Sequence, residues 1–181
     1  MRWQGGMTRN DGHEAEIGPL VVWFCGWCGA HMVAHMTRGE LTDIIRESLT
    51  PLGLYSDRAL RLLLGTCAVE SSFGRWRVQL NGGPARGIYQ MEPATFRWLR
   101  TKYGKRYPSV SEYSFADQQT DDRQATVMAR LRYLAVPEQL PDADDLHAQA
   151  DYWKRHYNTY LGAGTVEKYL MAYRLFVGDV S

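Results

Sequence analysis

The sequence predicts a mainly α-helical domain over residues 37–181, with at most a small β-hairpin or an irregular loop as its non-helical part. Three observations carry that expectation. Apolar residues recur at three- and four-residue intervals from Leu41 onward, the period that gathers them on one face of a helix. Helix start and stop signals bracket those runs. One stretch, residues 75–90, follows no helical pattern and contains the strong turn signal Asn81-Gly82-Gly83-Pro84.

Taken in order, Thr37-Arg38-Gly39-Glu40 reads as a capping box, a hydroxyl cap with a glutamate three residues later. Leu41, Ile44, Ile45 and Leu49 then repeat at helical spacing, and Pro51 and Gly53 end the run. Ser56 or Asp57 caps a second helix, whose buried face is Leu60, Leu63, Leu64, Cys67 and Ala68. Glu70 arrives in its last turn and Gly74 lies just beyond, where helices commonly stop. Pro93 suits the first turn of a helix carrying Phe96, Trp98 and Leu99 toward Gly104. Ser114 or Asp117 opens a long helix with the stripe Val127, Met128, Leu131 and Leu134, stopped by Pro137. Residues 143–158 form another, with Leu146, Ala150, Trp153 and Tyr157 near one face. Leu161-Gly162-Ala163-Gly164 breaks it, and Thr165 caps a final helix holding Val166, Tyr169, Leu170, Tyr173 and Phe176.

A length of 181 residues suits one domain with a real core. A formal net charge of +1 provides no field for nucleic acid. The three cysteines are an odd count and do not suggest a disulfide scaffold; Cys67, in an apolar run, reads as a small buried hydrophobe. Residues 1–36 stand apart as an amino-terminal appendage. Within it, 18–35 is mostly apolar and borderline in length for a membrane span, so an anchor, a signal or an upstream start extension are all open, and membrane contact is undecided. Cys25, Cys28, His31 and His35 match a zinc set in residue type, but the gap from Cys to His is too short for a finger. The expectation is no metal and no cofactor.

The candidate chemistry lies in three places. Glu70 follows a strongly apolar helix, and apolar surroundings raise a carboxyl pKa by penalising the charged form. Such a group is a proton donor near neutral pH, with Ser71 as the hydroxyl that orients it; a solvated glutamate at a helix end is the plainer alternative. Gly87 permits a tight approach, and Gln90 offers both a donor and an acceptor to an acetamido sugar, or is simply a polar cap before Pro93. Tyr157 offers its hydroxyl to the acid or the substrate, and Asn158 its amide to an acetamido carbonyl; a core aromatic and a helix terminator are the alternatives. Trp76, Tyr89 and Trp153 are candidate platforms for sugar rings. Arg75, Arg77 and Arg86 flank the loop and could attract peptide carboxylates.

Read together, Glu70-Ser71, then Gly87-Ile88-Tyr89-Gln90 with Pro93-Ala94-Thr95, then His156-Tyr157-Asn158 before Gly162-Ala163-Gly164, resemble the pattern of the soluble lytic transglycosylases, above all those of bacteriophages. The resemblance spans roughly residues 56–177, with Ile88, Tyr89 and His156 as departures. It implies a lysozyme-like fold and cleavage of the bond between N-acetylmuramic acid and N-acetylglucosamine in peptidoglycan. Glu70 would be the catalytic acid, supported by Ser71 and Tyr157, with Gln90, Tyr89, Asn158 and Gly87 at the substrate. The implied partners are glycan strands and other virion proteins, and the implied place is the phage particle or the host periplasm and wall. A hydrolytic lysozyme of the same fold would want a second acid, for which Glu92, Asp117, Asp121 and Asp122 are nearest in sequence. A virion component that only grips glycan is the non-enzymatic alternative.

Overall fold

A computed structural model describes residues 36–158 and 162–178. The readings placed on residues 1–35, including the apolar segment and the Cys25, Cys28, His31 and His35 set, lie outside the described residues. Among those described, seven α-helices form and no sheet.

Helix α1 (Arg38–Leu49) begins at the expected capping box: Glu40 N–H donates to Thr37 Oγ1 at 3.2 Å, and Thr37 N–H to Glu40 Oε2 at 2.8 Å. It runs into a 3-10 turn, Thr50–Leu52, and Gly53 at φ 65° reverses the chain. Ser56, rather than Asp57, caps α2 (Asp57–Ser71), accepting from Ala59 N–H at 3.1 Å. Helix α3 is Pro93–Tyr103, α5 is Asp122–Leu134, α6 is Leu146–Trp153 and α7 is Val166–Phe176. A five-residue helix, α4 (Pro108–Glu112), precedes α5 and was not legible in the pattern.

The long helix expected from Ser114 or Asp117 starts later. Asp121 is the cap, its carboxylate accepting from Arg123 N–H and Gln124 N–H at 3.0 Å each. The Gln124 amide holds the Ser114 backbone out of any helix, accepting from its N–H at 3.3 Å and donating to its carbonyl at 2.7 Å. The helix expected over 143–158 is also shorter. Asp145 caps α6, and after Trp153 the chain widens into a π-helical turn, Lys154–Asn158.

Helix α2 lies at the centre. Leu62, Leu63, Leu64, Gly65, Thr66, Cys67 and Ala68 are consecutive and all buried, so this helix is covered on every side. It packs against α7, α1, α5 and α6. Gly65 is where α7 comes closest: a Cβ there would sit 2.0 Å from the Tyr169 hydroxyl. Thr66 Oγ1 shares a hydrogen bond of 2.7 Å with the Tyr133 hydroxyl of α5, which keeps its polar atom satisfied in the core.

The region expected to be irregular is so. Residues 75–91 form two isolated bridges, Val78 with Arg86 and Arg86 with Met91, and no strand. Gly87 is where the loop meets the segment before α5. Its φ is 80°, and a Cβ would lie 2.1 Å from the Gln118 carbonyl oxygen, so only glycine fits. No described helix is long and apolar enough to cross a membrane.

Candidate active site

A cleft of about 600 Å³ opens where the end of α2, the 75–91 loop, α5 and the π-helical turn meet. Its lining includes Glu70, Trp76, Gln90, Arg132, Tyr157 and Asn158. Residues from four distant stretches of chain therefore share one wall. The volume is in the range usual for small-molecule sites, about 300–1,000 Å³.

Glu70 reaches the cleft because α2 is buried around its whole circumference until its final turn. The residue is half-buried. Its Oε1 accepts from the Trp153 indole N–H at 3.0 Å. Burial pushes the carboxyl pKa up from 4.5 to about 7, against a smaller downward pull from the Trp153 bond and the Arg132 charge. Desolvation wins because Trp153 is a neutral donor and α2 leaves little water behind the carboxylate. The raised proton affinity makes the group available as a proton donor near neutral pH.

Beyond Glu70 the chain makes a sharp turn. Ser72, Phe73 and Gly74 have φ of 51°, 56° and 81°, a left-handed run that costs energy at the two non-glycine positions. Ser71 holds it. Its buried hydroxyl donates to the Ile88 carbonyl at 2.7 Å and the Cys67 carbonyl at 3.1 Å, and accepts from Gly74 N–H at 2.9 Å. Phe73 is buried and stacks on Phe176 at 5.5 Å. Ser71 therefore does not orient the Glu70 carboxyl as expected; it points the other way around the helix and ties the end of α2 to the loop.

Gln90 stands at the cleft with φ 46°, and its side-chain amide donates to the Trp76 carbonyl at 3.0 Å and the Gly87 carbonyl at 2.9 Å. Both bonds use the amide nitrogen, which fixes the flip and leaves Oε1 as the atom available to a ligand. Gly87 serves the backbone geometry and does not line the cleft. Tyr89 is corrected outright: it is 1% exposed, with its hydroxyl accepting from Thr126 Oγ1 at 3.4 Å, and is core rather than a sugar platform.

Tyr157 lines the cleft, but its hydroxyl donates to the Tyr89 carbonyl at 2.8 Å. The expected bond to the acid is replaced by a tie between the π-helical turn and the loop. Asn158 also lines the cleft, its Oδ1 accepting from Lys154 Nζ at 2.8 Å, which leaves Nδ2 as the donor. A Cβ on Gly162 would lie 2.4 Å from Asn158 Oδ1, and one on Gly164 would lie 2.4 Å from Trp153 Cη2. The glycine-rich run thus lets the chain pass directly behind both residues.

The remaining candidates divide. Trp76 is 42% exposed at the cleft, whereas Trp153 is 1% exposed and serves as the partner of Glu70. Arg77 is not free for substrate, because Asp122 binds both its terminal nitrogens. Arg86 is turned onto the Gly83 and Ala85 carbonyls at 2.8 Å each. Of the acids considered for a second role, Glu92 lines the cleft, while Asp121 caps α5 and Asp122 holds Arg77. Among the described residues no cluster of His, Cys, Asp and Glu could hold a metal ion.

Two site residues escaped the sequence reading in their roles. The sequence offers Trp153 as a sugar platform, and it gives Arg132 no role. A weak signal for Arg132 is present: with Arg130 it is one of two charges in the otherwise uncharged run Val127–Leu134, and it stands between Leu131 and Tyr133, which the structure buries. Comparisons with family models, curated proteins and solved structures find no match for the chain.

Proposed function

We propose that this chain is a peptidoglycan-cleaving lytic transglycosylase with a lysozyme-like helical domain. The observation that carries the reading is Glu70: a carboxyl at the wall of a sugar-sized cleft, raised to about 7 by desolvation and fixed by an indole N–H. That is the state an acid needs before it protonates a glycosidic oxygen. The sequence resemblance supplies the substrate, the bond between N-acetylmuramic acid and N-acetylglucosamine.

In this mechanism neutral Glu70 gives its proton to the bridging oxygen as the bond to the muramyl C1 breaks. The substrate's acetamido oxygen closes on C1 and carries the positive charge, so no second carboxylate is needed. Glu70, now a carboxylate, removes the proton from the C6 hydroxyl, whose oxygen displaces the acetamido group from C1. A 1,6-anhydro end forms, Glu70 is again neutral and no water is consumed. Gln90 Oε1 and Asn158 Nδ2 suit the acetamido N–H and carbonyl respectively, and exposed Trp76 suits a ring face. The partner is a glycan strand, and the place of action is the host wall, reached from a phage particle or from within the cell.

Hydrolysis is the second reading, favoured by one observation: Glu92 lines the same cleft as Glu70. There it would activate a water in place of the C6 hydroxyl. Mass analysis of fragments released from purified sacculi separates the two, because anhydro ends are one water lighter than hydrolysed ends. Anhydro ends are expected. Reducing ends would replace the transglycosylase with a hydrolase, and binding without release would reject both.

A further inference from the structure

Arg132 is a cation in the cleft wall without a carboxylate partner. Its terminal nitrogens donate to Thr95 Oγ1 at 3.3 Å and to the Tyr157 carbonyl, and its guanidinium lies over the Tyr157 ring at 4.5 Å. Its Nε–H is buried with no acceptor. Every acceptor it has is neutral, and no ion pair to it occurs among the described residues. Arg77 is neutralised by Asp122, whereas Arg130, on the same helix as Arg132, is held by the neutral Leu54 carbonyl and does not line the cleft. Leaving a charge unpaired in a wall is costly, so its retention here asks for a reason.

The groups facing Glu70 narrow the reason. Its own helix offers Cys67, whose thiol burial pushes up to about 12. Helix α6 offers neutral Trp153. The π-helical turn offers Tyr157, and α5 offers Tyr133, both buried phenols held well above their usual range and therefore neutral. Glu92 shares the cleft and would repel a second negative charge. Among the described residues that line the cleft with Glu70, Arg132 alone is a cation, and its charge acts on the Glu70 carboxyl.

We propose that Arg132 is a positioning residue for the acid, a cation clamped between α3, α5 and the π-helical turn so that Glu70 can exist as a carboxylate after its proton has left. The charge compensates the anion when it forms, and the clamp keeps the guanidinium from swinging out to water. The catalytic part of this inference rests on the proposed cleavage reaction; the electrostatic part does not.

The test is a carbon-detected NMR titration of the Glu70 carboxyl in the full chain, for the wild type, Arg132→Gln and Arg132→Lys, with sacculus cleavage followed across pH. Arg132→Gln keeps a donor for the Tyr157 carbonyl but removes the charge. The Glu70 midpoint is expected to rise by about one unit, the lower end for loss of a nearby opposite charge. Cleavage well below pH 7, where Glu70 is neutral in both proteins, should fall by up to about tenfold, the rate equivalent of that shift. Arg132→Lys should restore most of the midpoint. An unmoved midpoint in Arg132→Gln, or equal shifts in both variants, overturns the proposal. Should Arg132→Gln fail to fold, Thr95→Val loosens one tether while keeping the charge, and a smaller rise is expected; no rise overturns it. The titration needs no substrate. A wild type that cuts no murein would reject the proposed function while leaving the Arg132 inference to be decided by the midpoint.

Discussion

Two glutamates are held by the same stretch of chain, α6 and the π-helical turn after it, and they behave in opposite ways. Glu70 accepts one bond, from Trp153 at 3.0 Å, and its carboxyl is raised to about 7. Glu138 accepts from Arg155 at 2.7 and 3.0 Å and from His156 at 3.0 Å, and its carboxyl is lowered to about 2. Glu138 lies in water, where two basic side chains meet little opposition from desolvation. Glu70 is walled in by α2, and a neutral indole cannot offset the loss of hydration. Hydrogen bonding alone does not set the direction of a pKa; water access and the charge of the donor do.

The largest expected effect follows from the side of that contrast that faces the cleft. Glu70→Gln should lower the clearing rate of a sacculus suspension by roughly 10²–10⁴, the usual worth of a positioned acid. A rate near that of the wild type would remove Glu70 from the chemistry. The same variant should be more stable than the wild type at neutral pH. A carboxyl whose folded pKa of about 7 exceeds its ordinary 4.5 is bound to a proton more tightly in the folded state, so stability is lost as pH rises from 4.5 through 7. The difference is at most about 3 kcal/mol above pH 7, shrinking toward nothing near pH 4.5. Urea unfolding of both proteins at several pH values measures it, and a constant gap would contradict the assigned environment.

Trp153→Phe comes next. It removes the donor and leaves a smaller ring, at a cost of about 1.5–3 kcal/mol for a bond to a charged group. The Glu70 midpoint should rise further, seen by the same carboxyl titration, since the indole bond is one of the two interactions pulling it down. Ser71→Ala should cost about 1–3 kcal/mol in thermal or urea unfolding, because the Gly74 N–H and the Ile88 carbonyl lose a buried partner. It should leave the Glu70 midpoint in place; a large shift would return Ser71 to the role that the sequence suggested. Glu138→Gln should be smallest, with no change in cleavage rate and only a slight drop in melting temperature that vanishes in high salt.

Much of the fold was legible because the signals are local. The Thr37–Glu40 box, the Ser56 and Thr165 caps and Pro93 at the start of α3 each act within four residues, and each lies where expected. The misplacements came from competition between neighbours. Ser114 and Asp117 are plausible caps, but Asp121 takes the α5 terminus and the Gln124 side chain occupies the Ser114 backbone. In the cleft, the positions of Glu70, Gln90, Tyr157 and Asn158 were readable from residue type and order, and all four line it. The partners of Ser71, Tyr89 and Tyr157 were not, because a hydroxyl or a ring fits a core and a site equally well until its neighbours are known.

By itself the chain determined where most of its helices begin and that an apolar helix would carry a glutamate in its last turn. Those are consequences of short-range sterics and periodic hydrophobicity. The proton affinity of Glu70, the hydroxyls of Ser71 and Tyr157 turned onto the loop backbone, and the unpaired charge of Arg132 arose only once the helices packed. Trp153 lies 83 residues from Glu70 along the chain. Desolvation and charge add over everything nearby in space, and no local window contains that sum.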